Sequence, residues 1–227
     1  MNFKNLLLVI CFTTLNIVFL SFNCSAQTWL WAKSGNGSGI DKGYSVSADA
    51  GGNVFVTGIF TSPTITFGST TLTNAGIYDV FIAKYDANGN VLWAKSAGGT
   101  SYDGGNSVSA DADGNVFVTG YFTSPTITFG STTLTRTIAS GAFTADVFIV
   151  KYDANGNVLW AKSAGGTNND VGSSVSTDAG GNVFVTGVFN LTITFGTTTL
   201  TNAVCGGVFI AKYDAAGTVL WATNPAG

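Results

Sequence analysis

Asp146-Val-Phe-Ile-Val-Lys-Tyr-Asp-Ala-Asn-Gly-Asn-Val-Leu-Trp-Ala-Lys162 is the stretch that decides the fold of this chain. Two apolar runs flank Asp-Ala-Asn-Gly, the pattern of a β-hairpin. Asp suits the first position of a type I turn, and Gly accepts the left-handed backbone that closes it. The same stretch is written at residues 79–95 and, more loosely, at residues 207–223.

Working outward, a second hairpin type precedes each copy. It reads Gly43-Tyr-Ser-Val-Ser-Ala-Asp49, a turn at Ala50-Gly51-Gly52, then Asn53-Val-Phe-Val-Thr-Gly58, and it returns at residues 106–120 and 173–187. Between the two hairpins lies Phe60-Thr-Ser-Pro-Thr-Ile-Thr-Phe-Gly-Ser-Thr-Thr-Leu-Thr73, repeated letter for letter at residues 122–135 and altered at residues 189–201. Its period-two alternation predicts a small hairpin with one wet face. Trp31, Trp93, Trp160 and Trp221 mark the period, with spacings of 62, 67 and 61 residues. Residues 28–34 match only the second half of the closing hairpin. The longer middle unit carries an insertion at residues 136–143, read as a loop. No window has helical periodicity, so the class is all-β and built from repeats.

Strand composition indicates how the repeats meet. Val80-Phe-Ile-Ala, Val147-Phe-Ile-Val, Val91-Leu-Trp and Val158-Leu-Trp read as apolar on both faces, and such strands need cover on each side. The Ser-Val-Ser strands carry small side chains that suit a crowded centre. Together these predict tandem four-stranded antiparallel blades, β-propeller-like, in three repeats of about 35–97, 98–164 and 165–224.

The lines Gly43–Gly58 and Val80–Lys95 resemble the secreted bacterial β-propeller (SBBP) repeat. The resemblance covers nearly all of the chain from about Trp29. It implies a propeller fold, seven-bladed in the family's expected form, and no shared catalytic motif. Relatives of this type often continue into more repeats or a surface-sorting module.

Composition bounds the function. Of 227 residues only 9% are charged, against roughly 25% in ordinary domains, all twelve acids are Asp, and His is absent. The few Lys and Arg are spread evenly, with no basic run to neutralise phosphates, which argues against nucleic acid. Residues 1–26 read as a signal peptide: Lys4, an apolar run at residues 6–22, and Cys24-Ser25-Ala26 before Gln27. The rivals are a membrane anchor and lipidation at Cys24; simple cleavage is preferred, leaving no membrane span and a secreted or cell-surface protein. Cys205 then stands alone and is read as a small buried apolar side chain. Asn36 and Asn190 fit the glycosylation pattern and receive little weight.

Three blades plus a leading strand make an open or partial propeller, since closed ones have roughly four to eight blades. The uncovered faces predict either a longer parent protein or self-association through open blade edges, for example as a six-bladed ring of two chains.

The chemistry is weighed copy against copy. Asp86, Asn88 and Asn90, and their counterparts Asp153, Asn155 and Asn157, resemble the start of a calcium loop, as do Asp111 and Asp113. However, Gly falls at the fourth position rather than the sixth, and no Glu closes the coordination. The third copy, Asp214-Ala-Ala-Gly-Thr218, keeps Asp and Gly and loses both Asn. Turn geometry needs the residues that are kept, so the structural reading is preferred and no metal, cofactor or catalytic residue is assigned. Without His or Glu the usual triads are not available, and the chain is read as no enzyme. Trp93 and Trp160 are expected between blades, with Tyr44, Tyr102 and Tyr121 as better candidates for exposure to a glycan. The Lys residues beside Tyr-Asp and Trp-Ala are read as strand-edge charges. The expected function is a secreted, non-catalytic interaction scaffold for a protein or glycan ligand; the alternative is a glycan-binding or polysaccharide-hydrolysing module.

Overall fold

The computed structural model describes residues 30–137, 144–203 and 206–225. The signal-peptide reading with Cys24, most of the insertion, and Cys205 lie outside these residues. The first blade runs through β1 (Asp41–Ala48), β2 (Val54–Phe60), a small hairpin of β3 (Thr64–Phe67) and β4 (Thr70–Thr73), then β5 (Asp79–Tyr85) and β6 (Val91–Ala97). The second contains β7 (Asp103–Ala110), β8 (Val116–Phe122), β9 (Thr126–Phe129), β10 (Thr132–Thr135), β11 (Asp146–Tyr152) and β12 (Val158–Ala164). The third contains β13 (Val171–Thr177), β14 (Val183–Phe189), β15 (Thr192–Phe195), β16 (Thr198–Thr201), β17 (Gly207–Tyr213) and β18 (Val219–Thr223). Each blade is a four-stranded antiparallel sheet, in the order β1-β2-β5-β6 and its equivalents, with the small hairpin as a separate two-stranded sheet.

The hairpins show why Thr and the apolar residues alternate. Ile65, Phe67 and Leu72 are buried, while Thr66 and Thr71 pair their hydroxyls at 3.0 Å on the open face. Strands β5 and β11 are buried along their whole length, as the unbroken apolar runs require. The outer strands β6 and β12 differ from expectation. Leu92 and Leu159 are exposed, because an outermost strand is covered on one face only.

Part of the core lies within a blade, where Phe60, Ile65, Phe67 and Leu72 of the first blade pack with its own Phe81 and Ala83; the rest lies between blades. Phe55, Val80 and Ile82 of the first blade pack with Val108, Val116 and Val118 of the second. Phe117, Val147 and Ile149 repeat the contact against Val175, Val183 and Val185 of the third. At the inner strands the small residues form a polar seam: the Ser45 hydroxyl accepts the Val108 N–H at 3.1 Å, and the Ser107 hydroxyl accepts that of Val175 at 3.2 Å. A larger side chain there would hold the strands apart.

At the outer strands each junction is closed by a tryptophan. The Trp93 indole N–H donates to the Ala154 carbonyl at 3.1 Å, and the Trp160 N–H to that of Ala215 at 3.1 Å. The leading Trp31 does the same to Ala87 at 3.1 Å. Each indole also packs on the Tyr of the next blade, with ring centroids 5.9 Å apart for Trp31 and Tyr85, 6.2 Å for Trp93 and Tyr152, and 6.4 Å for Trp160 and Tyr213. The turn glycine is required twice. Gly156 sits at φ 80°, and a Cβ there would come within 2.9 Å of the Trp93 ring.

The lysines before Tyr-Asp are not strand-edge charges. Lys84 and Lys151 are buried in the third strand of their sheets, over the faces of Phe55 and Phe117 at 5.1 Å, with Lys84 Nζ donating to the Ala154 carbonyl at 3.1 Å. The next blade covers their stems, and the aromatic face and turn carbonyl hold the ammonium. Lys95 and Lys162, on the outer strands, are exposed as expected.

Gly156→Ala and Gly181→Ala should separate the two demands on turn glycines. Gly181 has φ 76°, but its added Cβ would meet nothing closer than 3.6 Å. Both variants carry a backbone strain of about 1 kcal/mol; Gly156→Ala should lose roughly another 1–3 kcal/mol by displacing Trp93. Chemical denaturation measures the difference, and equal losses would show that the indole is not held by the turn.

Candidate functional site

The Asp-x-x-Gly turns close two hairpins in every blade, and all have one geometry. In the β5–β6 turn, Asp86 Oδ1 accepts the N–H groups of Asn88 and Asn90 at 2.9 and 2.8 Å, and Oδ2 accepts the Asn90 amide at 2.8 Å. Asp153 makes the same three bonds with Asn155 and Asn157. Asp111 accepts the N–H groups of Asp113 and Asn115 and the Asn115 amide. Asp214 keeps the backbone bonds, from Ala216 and Thr218. Both oxygens of Asp86, Asp111 and Asp153 therefore face N–H donors of their own turn. The Asn90 and Asn157 amides hold the Asp86 and Asp153 carboxyls below the usual range, with help from turn N–H groups. Among the described residues no three Asp, Glu, His or Cys side chains converge on a point that a metal ion could fill.

The opposite ends of the strands differ between blades. There the junction of the first and second blades gathers Tyr44, Tyr78, Tyr102 and Tyr121. Tyr78 and Tyr102 pack edge to face, 5.0 Å between centroids. Burial raises the Tyr121 phenol, and the neighbouring Tyr44, Asp103 and Tyr78 raise it further. Tyr44 stands where the β1–β2 register slips between Gly43 and Ser45, and such a bulge re-aims its side chain. Of the tyrosines read as exposed, only Tyr44 is; Tyr102 and Tyr121 are half-buried at the junction with the first blade, Tyr102 against Tyr78. Tyr78 was not singled out from the sequence. Its signal was weak, since it lies in a connection whose counterparts are not aromatic.

Beneath this cluster, buried aspartates begin the strands. Asp103 accepts from the Thr123 and Ser124 N–H groups, the Ser124 hydroxyl and the Gly99 N–H. It thereby ties the inter-blade link to the exit of β8. Asp79 accepts from Ala75 through Oδ2, while its buried Oδ1, like Asp146 Oδ1 and Asp170 Oδ2, has no partner among the described residues. Burial pushes the Asp79 carboxyl up to about 6, with the Asp103 charge adding to it. Burial takes Asp170 to about 7, with Asp146 adding to it.

At the turn ends the blades form three equivalent shallow clefts of about 280–340 Å³. The middle one is lined by Lys95, Ser96, Ser131, Tyr152, Asn157 and Val158. Its relatives contain Lys33 and Tyr85, and Lys162 and Tyr213, at matching positions. Each offers one ammonium and side-chain hydroxyls, joined by an Asn amide in the first two, a lining suited to hydroxylated or anionic ligands.

No family model matches the chain. It is similar, at 30% identity over 230 residues, to the uncharacterized WD repeat-containing protein L264 of Acanthamoeba polyphaga mimivirus; the match covers 86% of the chain and 16% of that protein. It is 30% identical over 112 residues to the regulatory protein FlaEY of Caulobacter vibrioides, covering 49% of the chain and 12% of that protein. The chain thus matches about a sixth or less of the length of these curated relatives. A Bacteroides caccae protein of unknown function aligns over 82% of both chains at 11% identity, with a TM-score of 0.28. The first relative places this chain beside another repeat protein.

The carboxyls make stability depend on pH in two opposed ways. An unfolded Asp titrates near about 3.9. The raised Asp79 and Asp170 therefore contribute stability that is complete below about pH 4 and lost as the pH rises through their folded values of about 6 and about 7. The lowered turn aspartates contribute stability present above about pH 4 and lost as the pH falls through their folded values. Melting temperature should peak at about pH 4–5, and Asp79→Asn should flatten the decline on the neutral side. A wild-type profile that climbs to neutrality contradicts this assignment. Millimolar calcium should leave the melting temperature unchanged; a rise reversed by chelator would return Asp86, Asp111 and Asp153 to the list of cation ligands.

Proposed function

We propose that this chain is a secreted, non-catalytic β-propeller repeat protein of the SBBP type, acting as an interaction scaffold outside the cell or on its surface. The observation that carries this reading is a division of labour along the strands. One end and the faces repeat the same contacts in every blade: indole to turn carbonyl, lysine over phenylalanine, carboxyl to turn N–H. The other end varies. Tyr44 gives way to Asn106 and Ser173, Tyr102 to Asn169, and Tyr121 to Val188. A constant frame with variable ends is how repeat proteins present a recognition surface. The similarity to a WD repeat-containing protein supports the repeat character. Export rests on residues 1–26 of the sequence.

The aspartates give no support to hydrolysis. Asp79 and Asp103 are sealed from solvent, and Asp111 and Asp113 belong to one hydrogen-bonded turn. Glycan contact is favoured by one feature, the group of four tyrosines with Tyr44 at its open edge, since an exposed phenol face can pack on a sugar ring. A titration with soluble polysaccharides, read by intrinsic fluorescence, tests it. Saturable quenching is expected, weakened roughly tenfold or more by Tyr44→Ala, on the scale of one lost aromatic contact. A flat titration removes the glycan reading and leaves protein contact. Release of reducing ends from any of the polysaccharides overturns the non-catalytic reading.

A further inference from the structure

The two faces at the ends of the blade array carry the halves of a junction that the chain already makes twice. In the first junction Val80 and Val108 are 2% and 5% exposed; in the second Val147 and Val175 are 1% and 5% exposed. The next partners in the series are Val208 on the third blade, 49% exposed, and Val46 on the first, 67% exposed. The rest of the series is also present. Phe184 and Ile210 stand where Phe55 and Ile82, then Phe117 and Ile149, are buried by the next blade. Lys212 lies over Phe184 at 5.1 Å, as Lys84 lies over Phe55, but meets no turn carbonyl among the described residues. Trp221 repeats Trp93 and Trp160 and is exposed, packing only on Phe184 of its own blade. Ser174 is exposed where Ser45 and Ser107 accept an N–H from the following blade.

We propose that a second copy of this chain docks head to tail on these faces, setting Phe184, Val208, Ile210 and Trp221 of one copy against Val46, Val54 and Val56 of the other. This goes beyond the scaffold reading and does not depend on the scaffold's ligand. The contact is heterologous, so it closes into a ring or extends as a filament according to the rotation it imposes. It has a built-in competitor. Trp31 already donates to Ala87 and packs on Tyr85, the place that Trp221 of the second copy needs. The segment from Trp31 to Ile40 is held to the first blade by a handful of further hydrogen bonds, two between Asn36 and Thr66 at 3.0 Å and others from Gly39 and Ile40 to the Ser62 and Thr61 hydroxyls. Docking exchanges that short, non-strand segment for a whole sheet face and leaves Val46 covered.

Sedimentation equilibrium of the purified protein tests this directly. Wild type should show reversible association to twice the chain mass or to a head-to-tail series. Trp221→Ala should weaken it roughly thirtyfold or more, the usual cost of truncating a central interface aromatic. Trp31→Ala should act in the opposite sense and strengthen association, because it removes the competitor. At a concentration where Val46→Lys and Trp221→Ala are each monomeric alone, a mixture of the two should form a dimer through the one intact pair of faces. Circular dichroism of each variant guards against unfolding, and Val46→Lys alters a side chain that is exposed within the single chain. A monomeric wild type at high concentration, or a mixture that stays monomeric, overturns the proposal. So does association weakened equally by Trp31→Ala and Trp221→Ala.

Discussion

The structure depends on a hydrogen bond about 3 Å long, from an indole N–H on the outer strand of one blade to a turn carbonyl on the next. Such a bond contributes only about 1 kcal/mol net. Its importance lies in what it requires. The turn must present its second carbonyl outward, so Asp must fold the loop and Gly must close it. A tyrosine must lie under the indole, and the lysine one strand in must share the same oxygen. One contact thereby explains why Lys-Tyr-Asp-Ala recurs as a block with Trp-Ala following a few residues later. Each half of the block serves a different neighbour: the turn receives the preceding blade, and the tryptophan grips the following one.

The seam at the inner strands complements this. There hydroxyls of one blade accept N–H groups of the next, and the apolar rows meet in between. Every junction is thus a sandwich, polar at the inner seam, apolar in the middle and aromatic at the rim. Burial at the junctions is also what drives the carboxyls apart in acidity. Turn aspartates lie among donors and stay ionised easily; Asp79 at the start of β5 and Asp170 just before β13 are buried and resist ionisation.

Much of this was legible in the residues because repeats are internal controls. Asp214-Ala-Ala-Gly kept what the turn needs, and the structure shows Asp214 still accepting the turn N–H groups of Ala216 and Thr218 without either Asn. Small side chains in Ser-Val-Ser foretold the inner strands, and unbroken apolar runs foretold β5 and β11. Three features were not legible. Leu92 reads like a buried residue, but only sheet order reveals that its strand is outermost. Lys84 reads like a surface charge, because its cover comes from Ala154, 70 residues away. Tyr78 and Tyr102 stand 24 positions apart, in connections with no periodic pattern, and only the meeting of two blades makes them neighbours.

The uniformity of the junctions has a genetic consequence. A blade is recognised by its neighbours through a block that all three copies carry, so no junction encodes which blade should follow which. Unequal recombination within such a gene would insert or delete whole blades and leave every new boundary chemically competent. The tyrosine-lined junction is the exception. With Tyr44, Tyr78, Tyr102 and Tyr121 spread over both its blades, it would survive a copying event only if the pair travelled together.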